Sequence, residues 1–162
     1  MRSNQEIQEI TDLVKQMRAK LEAMPHLQRL GDQEINLIFS MALGFINQGQ
    51  YEQALRYFGF LMVYRPTEVR ILTGLALVNR MLGRYAEAIW CYAFAAHIEP
   101  AEPEHMLAVA ECELRQNDIA TASNTLKLVI RYCKENGNFE WVLNRAEGLL
   151  DVISKGNESV TR

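Results

Sequence analysis

The sequence predicts an all-α protein: a superhelical array of about three helix–turn–helix repeats, with a helical segment before it and a capping helix after it. No segment alternates apolar and polar residues as a half-buried strand would, and glycine and proline stand mainly between helical patterns. Two stretches are also nearly the same, GQYEQALRYFGFLMVYRP from Gly49 and GRYAEAIWCYAFAAHIEP from Gly83. They lie 34 residues apart, and a fixed period of this length is typical of repeat proteins.

The residue types that recur in both stretches indicate structural roles. A glycine forms the turn between two helices, and small alanines let the paired helices approach each other closely. A tyrosine fills the gap between units with its hydroxyl at the edge, and a proline ends the second helix because it has no amide hydrogen to donate. These positions are Gly49, Tyr51, Ala54 and Pro66 in the first repeat, and Gly83, Tyr85, Ala88 and Pro100 in the second.

The period divides the chain into successive segments. In the fainter third repeat Asn117 replaces the turn glycine, because asparagine tolerates a positive φ, and Asp118 is a natural N-cap. A later amphipathic helix, with Val142 and Ala146 on its apolar face, would cover the last repeat. We expect an N-terminal helical segment over residues 1–30, repeats over 35–134 (35–68, 69–102 and 103–134), a capping helix over 137–155 and a disordered tail over 156–162.

The N-terminal segment carries a seam of six apolar residues at alternating steps of three and four. This spacing is the heptad pattern of paired helices, although the seam extends over fewer than three heptads. We expect it to join two copies of the chain in a homodimer; the alternative is that it caps the first repeat within one copy. The seam consists of Ile7, Ile10, Val14, Met17, Leu21 and Met24.

Composition excludes several classes of protein. The 17 basic and 20 acidic residues give a net charge of −3 without a basic block, which disfavours nucleic-acid binding. No apolar run is long enough to span a bilayer, so we expect no membrane insertion. The N-terminus lacks the apolar core of a secretory signal, and the three cysteines are odd in number and widely spaced. We therefore expect a protein of the cytoplasm.

No group of residues indicates catalysis. His26, His97 and His105 lie far apart, with no carboxylate or thiol at the spacing of metal ligands. The glycines are isolated, so there is no phosphate-binding loop, and no nucleophile has a base and an orienting group beside it. We expect no enzyme activity, no metal, no cofactor and no small-molecule substrate.

The glycine, tyrosine, alanine, aromatic and proline positions resemble the tetratricopeptide repeat, a helix–turn–helix unit of 34 residues. The resemblance covers residues 35 to about 134. The consensus tryptophan is absent, since Ile38 and Leu72 occupy its place. The small and aromatic packing positions remain, so the resemblance still implies the tetratricopeptide fold.

Two further patterns resemble a narrower family. The first is Phe58, Leu61 and Tyr64 followed by Gly74-Leu75, and the second is AECEL at residues 110–114. Both resemble the class II chaperones of bacterial type III secretion systems, over roughly residues 30 to 135. The resemblance implies a chaperone that binds a short extended segment of two hydrophobic translocator proteins in the concave groove of its repeats. It also implies dimerisation through the N-terminal helices.

The first helix of each repeat lines the concave face in such an array. Four-residue steps along these helices place Leu43 and its equivalents on that face, while Ile38, Met41, Ala42 and Phe45 pack within the array. The first repeat is therefore apolar on two sides, and the surplus apolar stripe predicts an exposed groove. The predicted groove residues are Phe39, Leu43 and Ile46, then Thr73, Leu77 and Arg80, then Leu107, Glu111 and Leu114.

Three alternatives bear on this groove. Its residues could instead pack against the N-terminal helix or against a partner subunit. The chain could also be a general tetratricopeptide scaffold in a multiprotein assembly, such as a periplasmic or pilus-assembly factor. Co-chaperones that hold the acidic C-termini of heat-shock proteins need Lys, Arg and Asn at groove positions, so Phe39 and Leu43 disfavour that class.

Overall fold

The computed structural model describes residues 30–160, with side chains described through residue 155, and helices are the only regular secondary structure in this part of the chain. The predicted all-α class is confirmed. The predicted N-terminal segment, with its seam from Ile7 to Met24, lies outside the described residues. The helices are α1 (Asp32–Asn47), α2 (Tyr51–Tyr64), α3 (Val69–Met81), α4 (Tyr85–Ile98), α5 (Pro103–Arg115), α6 (Ile119–Asn136) and α7 (Glu140–Val160).

Successive helices pack against each other as three hairpins and a final helix. Contacts join α2 with α3, α3 with α4, α4 with α5, α5 with α6, and α6 with α7. Helix α1 contacts α2 through the rings of Phe45 and Tyr57, whose centroids are 5.0 Å apart. Helix α7 also touches α5, so it takes the place that the first helix of a fourth repeat would have.

The three turns inside the hairpins share one backbone geometry. Gly49, Gly83 and Asn117 have φ values of 71°, 74° and 62°, in the left-handed region that glycine and asparagine tolerate. In each turn the next N–H donates to the carbonyl five residues earlier, at 2.8 to 3.0 Å. Asp118 caps α6, since its Oδ1 accepts from the Thr121 N–H at 3.1 Å. The predicted asparagine turn is confirmed.

The core is built from small residues at repeat positions and one large ring. Phe58 is fully buried, and its ring meets Phe39 of α1 edge-on, with 5.7 Å between centroids. A Cβ added to Gly74 of α3 would lie within 3.0 Å of three atoms of the Phe58 ring, so only glycine lets α3 approach α2 this closely. The alanines at the recurring repeat positions are all fully buried: Ala42, Ala54, Ala76, Ala88, Ala110 and Ala122.

Helix α7 covers the apolar side of the third repeat. Val142 and Ala146 are fully buried in a cluster with Leu126 and Cys133 of α6, and Leu149, Leu150 and Ile153 pack against it. The helix continues through residue 160, which corrects the predicted disordered tail from residue 156. One glycine at position 156 costs a helix about 1 kcal/mol, which is not enough to end it.

The three cysteines are free and buried, as small apolar core residues are. Burial, with the nearby Glu87 charge, raises the pKa of Cys91 to about 11. Burial likewise raises the pKa of Cys112 to about 11. Both thiols therefore stay protonated at neutral pH, as suits small residues of an apolar core.

The outer face of α1 differs from its equivalents in the later repeats. Leu37 is 63% exposed, whereas Ile71, one period later, is fully buried against α2. Met41 is 43% exposed, whereas Val109, two periods later, is buried. The prediction that Met41 packs within the array is wrong, because no described helix precedes α1 to cover this position. We call Leu37 and Met41 the leading face of α1.

Glu113 is an unusual buried carboxylate at the end of α5. Its side chain is only 8% exposed, and its Oε2 has no hydrogen-bond partner among the described residues. Burial raises the pKa of Glu113, and a hydrogen bond with Thr125 offsets only part of that rise. The folded protein therefore binds a proton at Glu113 more tightly than the unfolded chain does.

We expect Glu113→Gln to stabilise the fold at pH 7 by about 1 kcal/mol, because it removes a buried charge that lacks a full set of partners. The advantage shrinks as the pH falls towards 4, since protonation then neutralises the wild-type carboxylate. Urea unfolding of both proteins at pH 7, 5.5 and 4 measures the difference. An equal difference at all three pH values would show that this carboxylate is not the cause.

Candidate binding groove

One face of the molecule is formed by α1, α3, α5 and α7, the first helices of the three repeats and the cap; we call it the groove. The Arg70 guanidinium of α3 lies over the Phe39 ring of α1, 4.8 Å from its centroid. Glu111 of α5 pairs with Arg80 of α3 at 3.3 Å and with Arg145 of α7 at 2.9 Å. These contacts hold the four helices side by side.

The α1 end of the groove is apolar and partly open. Leu43 is 40% exposed, and Phe39, Ile46 and Leu77 are half-buried. The Thr73 hydroxyl donates to the Val69 carbonyl at 3.0 Å, so this side chain presents mainly its methyl group. An extended apolar chain can therefore lie here without leaving a polar side chain unpaired.

The α7 end of the groove is polar and forms a cavity of about 360 Å³. Glu111 lies between two guanidiniums, and half-buried Leu114 is part of the lining. The cavity thus joins a charged wall to an apolar wall. Its lining residues are Arg80, Met81, Tyr85, Glu111, Leu114, Arg115, Arg145 and Leu149.

Leu107 does not belong to the groove. It is 3% exposed and lies in the cluster that α5 forms with α6 and α7, because the cap covers this position in the third repeat. That prediction is wrong, whereas the other eight predicted residues are exposed or half-buried. Their role in binding remains a prediction.

Sequence reasoning missed Arg115, Arg145 and Leu149. A signal for two of them was present: Arg145 stands one period of 34 residues after Glu111, and Leu149 one period after Arg115. Extending the repeat through the capping helix places both on the groove. The capping helix therefore has two working faces: one covers the core, and the other, with Arg145 and Leu149, lines the groove.

Two other kinds of site are absent from the described residues. Between residues 30 and 155, no three His, Cys, Asp or Glu side chains come together as metal ligands. None of the described helices combines the length and hydropathy needed to cross a membrane.

Comparison with known proteins agrees with the repeat pattern. A tetratricopeptide-repeat family model matches residues 39–99. The low calcium response locus protein H of Yersinia pestis is 26% identical over 132 residues, which are 82% of this chain and 79% of that protein.

Solved structures show the same fold. Three structures of SycD, the type III secretion translocator chaperone of Yersinia enterocolitica, are 25–26% identical, with TM-scores of 0.70–0.71. They cover 78–82% of this chain and 92–97% of SycD; one contains a peptide of the translocator YopD and another an alternative dimer.

PcrH from Pseudomonas aeruginosa, solved with the chaperone-binding region of PopD, superposes with a TM-score of 0.72. The match covers 81% of this chain and 98% of PcrH at 21% identity, and at this identity the likeness supports the fold alone. The repeat pattern, the array of hairpins and the likeness to SycD together show that this chain has a tetratricopeptide-repeat fold similar to that of the translocator chaperones of type III secretion.

Proposed function

We propose that this chain is a chaperone of the bacterial cytoplasm that binds an extended segment of a hydrophobic translocator protein in the groove. The observation that carries the proposal is the exposed apolar surface at the α1 end, where Leu43 stays 40% exposed. Packing of α1 against α2 uses Phe39 and Phe45 and does not require Leu43. An apolar surface beyond the needs of packing indicates a binding site.

The relatives support the same role. SycD has been solved with a peptide of YopD, and PcrH with the chaperone-binding regions of PopD and PopB. Translocators are apolar, so a bound chaperone that covers part of that surface keeps them soluble until export. This role needs neither catalysis nor a cofactor, and we propose none.

We further propose that the chain forms a homodimer, as SycD does in one of its structures. The leading face of α1 supports this, because Leu37 and Met41 are exposed whereas Ile71 and Val109, at the equivalent positions of later repeats, are buried. The N-terminal seam is the expected second element of the interface. Capping of the leading face by the same chain's N-terminal segment is the alternative.

Co-expression with candidate translocators, chosen from the genes that adjoin its own, tests the groove. We expect the double variant Leu43→Glu/Leu77→Glu to recover at least tenfold less soluble translocator in a pull-down, because two charges then face an apolar client. Val63→Glu is the matched control, since Val63 is an apolar side chain, 66% exposed, on α2 rather than on a groove helix. Circular dichroism melting shows that all three proteins are folded.

Equal recovery with the double variant and the control would contradict groove binding. The general scaffold remains the alternative function. It predicts that the chain retains folded partners and does not increase the solubility of a translocator. Measuring the soluble translocator with and without this chain therefore separates the two functions.

A further inference from the structure

The polar end of the groove has an excess of positive charge. Arg80, Arg115 and Arg145 line the same cavity, and Glu111 is the one carboxylate among its lining residues. We call these four residues the arginine pocket. Three guanidiniums against one carboxylate leave a formal charge of +2 in a chain whose net charge is −3. The pocket is therefore opposite in sign to the protein as a whole.

Both carboxylate oxygens of Glu111 already accept hydrogen bonds from two of these guanidiniums. Its Oε2 accepts from Arg80 Nη1 at 3.3 Å, and its Oε1 accepts from Arg145 Nε at 3.0 Å. Arg115 forms no ion pair with any residue in the described part of the chain. The pocket thus has donors left for a further carboxylate, and Arg is well suited to bind one in a fork.

The walls of the pocket restrict what can enter. Leu114 and Leu149 line it beside the guanidiniums; the Arg80 side chain is 33% exposed, the Arg145 side chain is 56% exposed, and Arg115 is exposed. The pocket is thus shielded from water on the Arg80 side and open on the Arg115 side, where an incoming carboxylate can enter. A side chain with a short apolar stem and a carboxylate at its end fits both walls.

We propose that the arginine pocket binds an Asp or Glu side chain of the translocator segment whose apolar residues lie at the α1 end of the groove. This inference rests on the proposed function and adds the chemistry of the client. The pocket makes the groove selective for segments that pair aliphatic residues with an acidic one. Apolar contact alone would not separate a translocator segment from other hydrophobic chains.

The order of the helices sets how many residues of the client separate its acidic residue from the residue that contacts Leu43. The pocket surrounds α5, two helices along the groove from Leu43 on α1. Neighbouring packed helices lie about 8–10 Å apart. An extended chain advances about 3.3 Å per residue. The acidic residue should therefore lie roughly five or six residues from the residue that contacts Leu43.

Selection of random linear dodecapeptides displayed on phage identifies binders without a known client. We expect enriched peptides to contain aliphatic residues and one Asp or Glu at that separation. A selected peptide is then synthesised with an amidated C-terminus, so that no terminal carboxylate is present, in paired versions with Glu or Gln at the acidic position. Fluorescence anisotropy measures the affinity of each version.

We expect the Glu peptide to bind the wild-type protein about tenfold more tightly than the Gln peptide, as one charge-assisted hydrogen bond provides. Arg115→Gln should weaken the Glu peptide about tenfold and leave the Gln peptide unchanged. Arg56→Gln is the matched control, because Arg56 is an exposed arginine on α2. It should change neither affinity.

Two outcomes separate the two proposals. Equal affinity of the Glu and Gln peptides for the wild-type protein would overturn the acidic-residue inference and leave the groove as an apolar binding site. Unchanged affinity of both peptides for Leu43→Glu/Leu77→Glu would overturn the proposed function of the groove itself.

Discussion

Phe58→Ala should reduce the free energy of unfolding by about 4 kcal/mol, since truncating a buried Phe removes its apolar contacts and leaves a cavity. The ring is fully buried in α2 and contacts both Phe39 and Gly74, so the cavity would open where α1, α2 and α3 meet. Urea unfolding followed by circular dichroism measures the loss.

Phe60→Ala is the matched control for that experiment. Phe60 is the same residue type in the same helix, but it is 44% exposed and packs on Tyr64 with 4.9 Å between ring centroids. We expect it to cost less than about 1 kcal/mol, because a surface substitution leaves no cavity. Similar losses for the two variants would contradict the position of Phe58 at the centre of the first two repeats.

Gly74→Ala should destabilise the fold by about 3 kcal/mol, the upper range for overpacking a core. The added Cβ would clash with the Phe58 ring, and this ring cannot move away without displacing Phe39. Thermal unfolding of the variant, read by circular dichroism, tests the expected loss.

Gly59→Ala is the control here. Gly59 also lies inside a helix, but the space that an alanine methyl group would occupy there has no neighbouring atom within 4 Å. Alanine there should stabilise α2 by roughly 0.5–1 kcal/mol through its higher helix propensity. The double variant Phe58→Ala/Gly74→Ala should lose less than the two single losses combined, because the smaller side chain removes the clash. Strictly additive losses would contradict the contact.

The repeat architecture could be predicted because its signals are local. Gly49, Gly83 and Asn117 each have a positive φ, and the residue type at each position is enough to predict it. Ala54 and Ala88 mark helix contacts because a larger side chain would hold the helices apart. A period that repeats such residues determines the order of the helices before any tertiary contact is known.

The accessible surface of the groove could not be predicted in the same way. Leu107 and Phe39 stand two periods apart at the same place on their helices, yet Leu107 is buried and Phe39 is only half-buried. The difference comes from the helix that follows each repeat. Helix α7 packs Val142 and Ala146 in one cluster with Leu107, whereas α3, the equivalent helix beside the first repeat, places the Arg70 guanidinium over the Phe39 ring. Exposure depends on neighbours that lie far along the chain, and a pattern within one helix does not contain them.

Both ends of the array leave apolar side chains exposed. The leading face of α1 is one such surface, and α7 at the other end exposes Trp141 at 57% and Val152 at 69%. Contact between two leading faces would be isologous and would close as a pair, because each copy covers the same face of the other. Contact between the α1 end of one copy and the α7 end of the next would be heterologous and would extend into a filament unless a ring closed. Which ends meet therefore decides whether copies of this chain pair or polymerise.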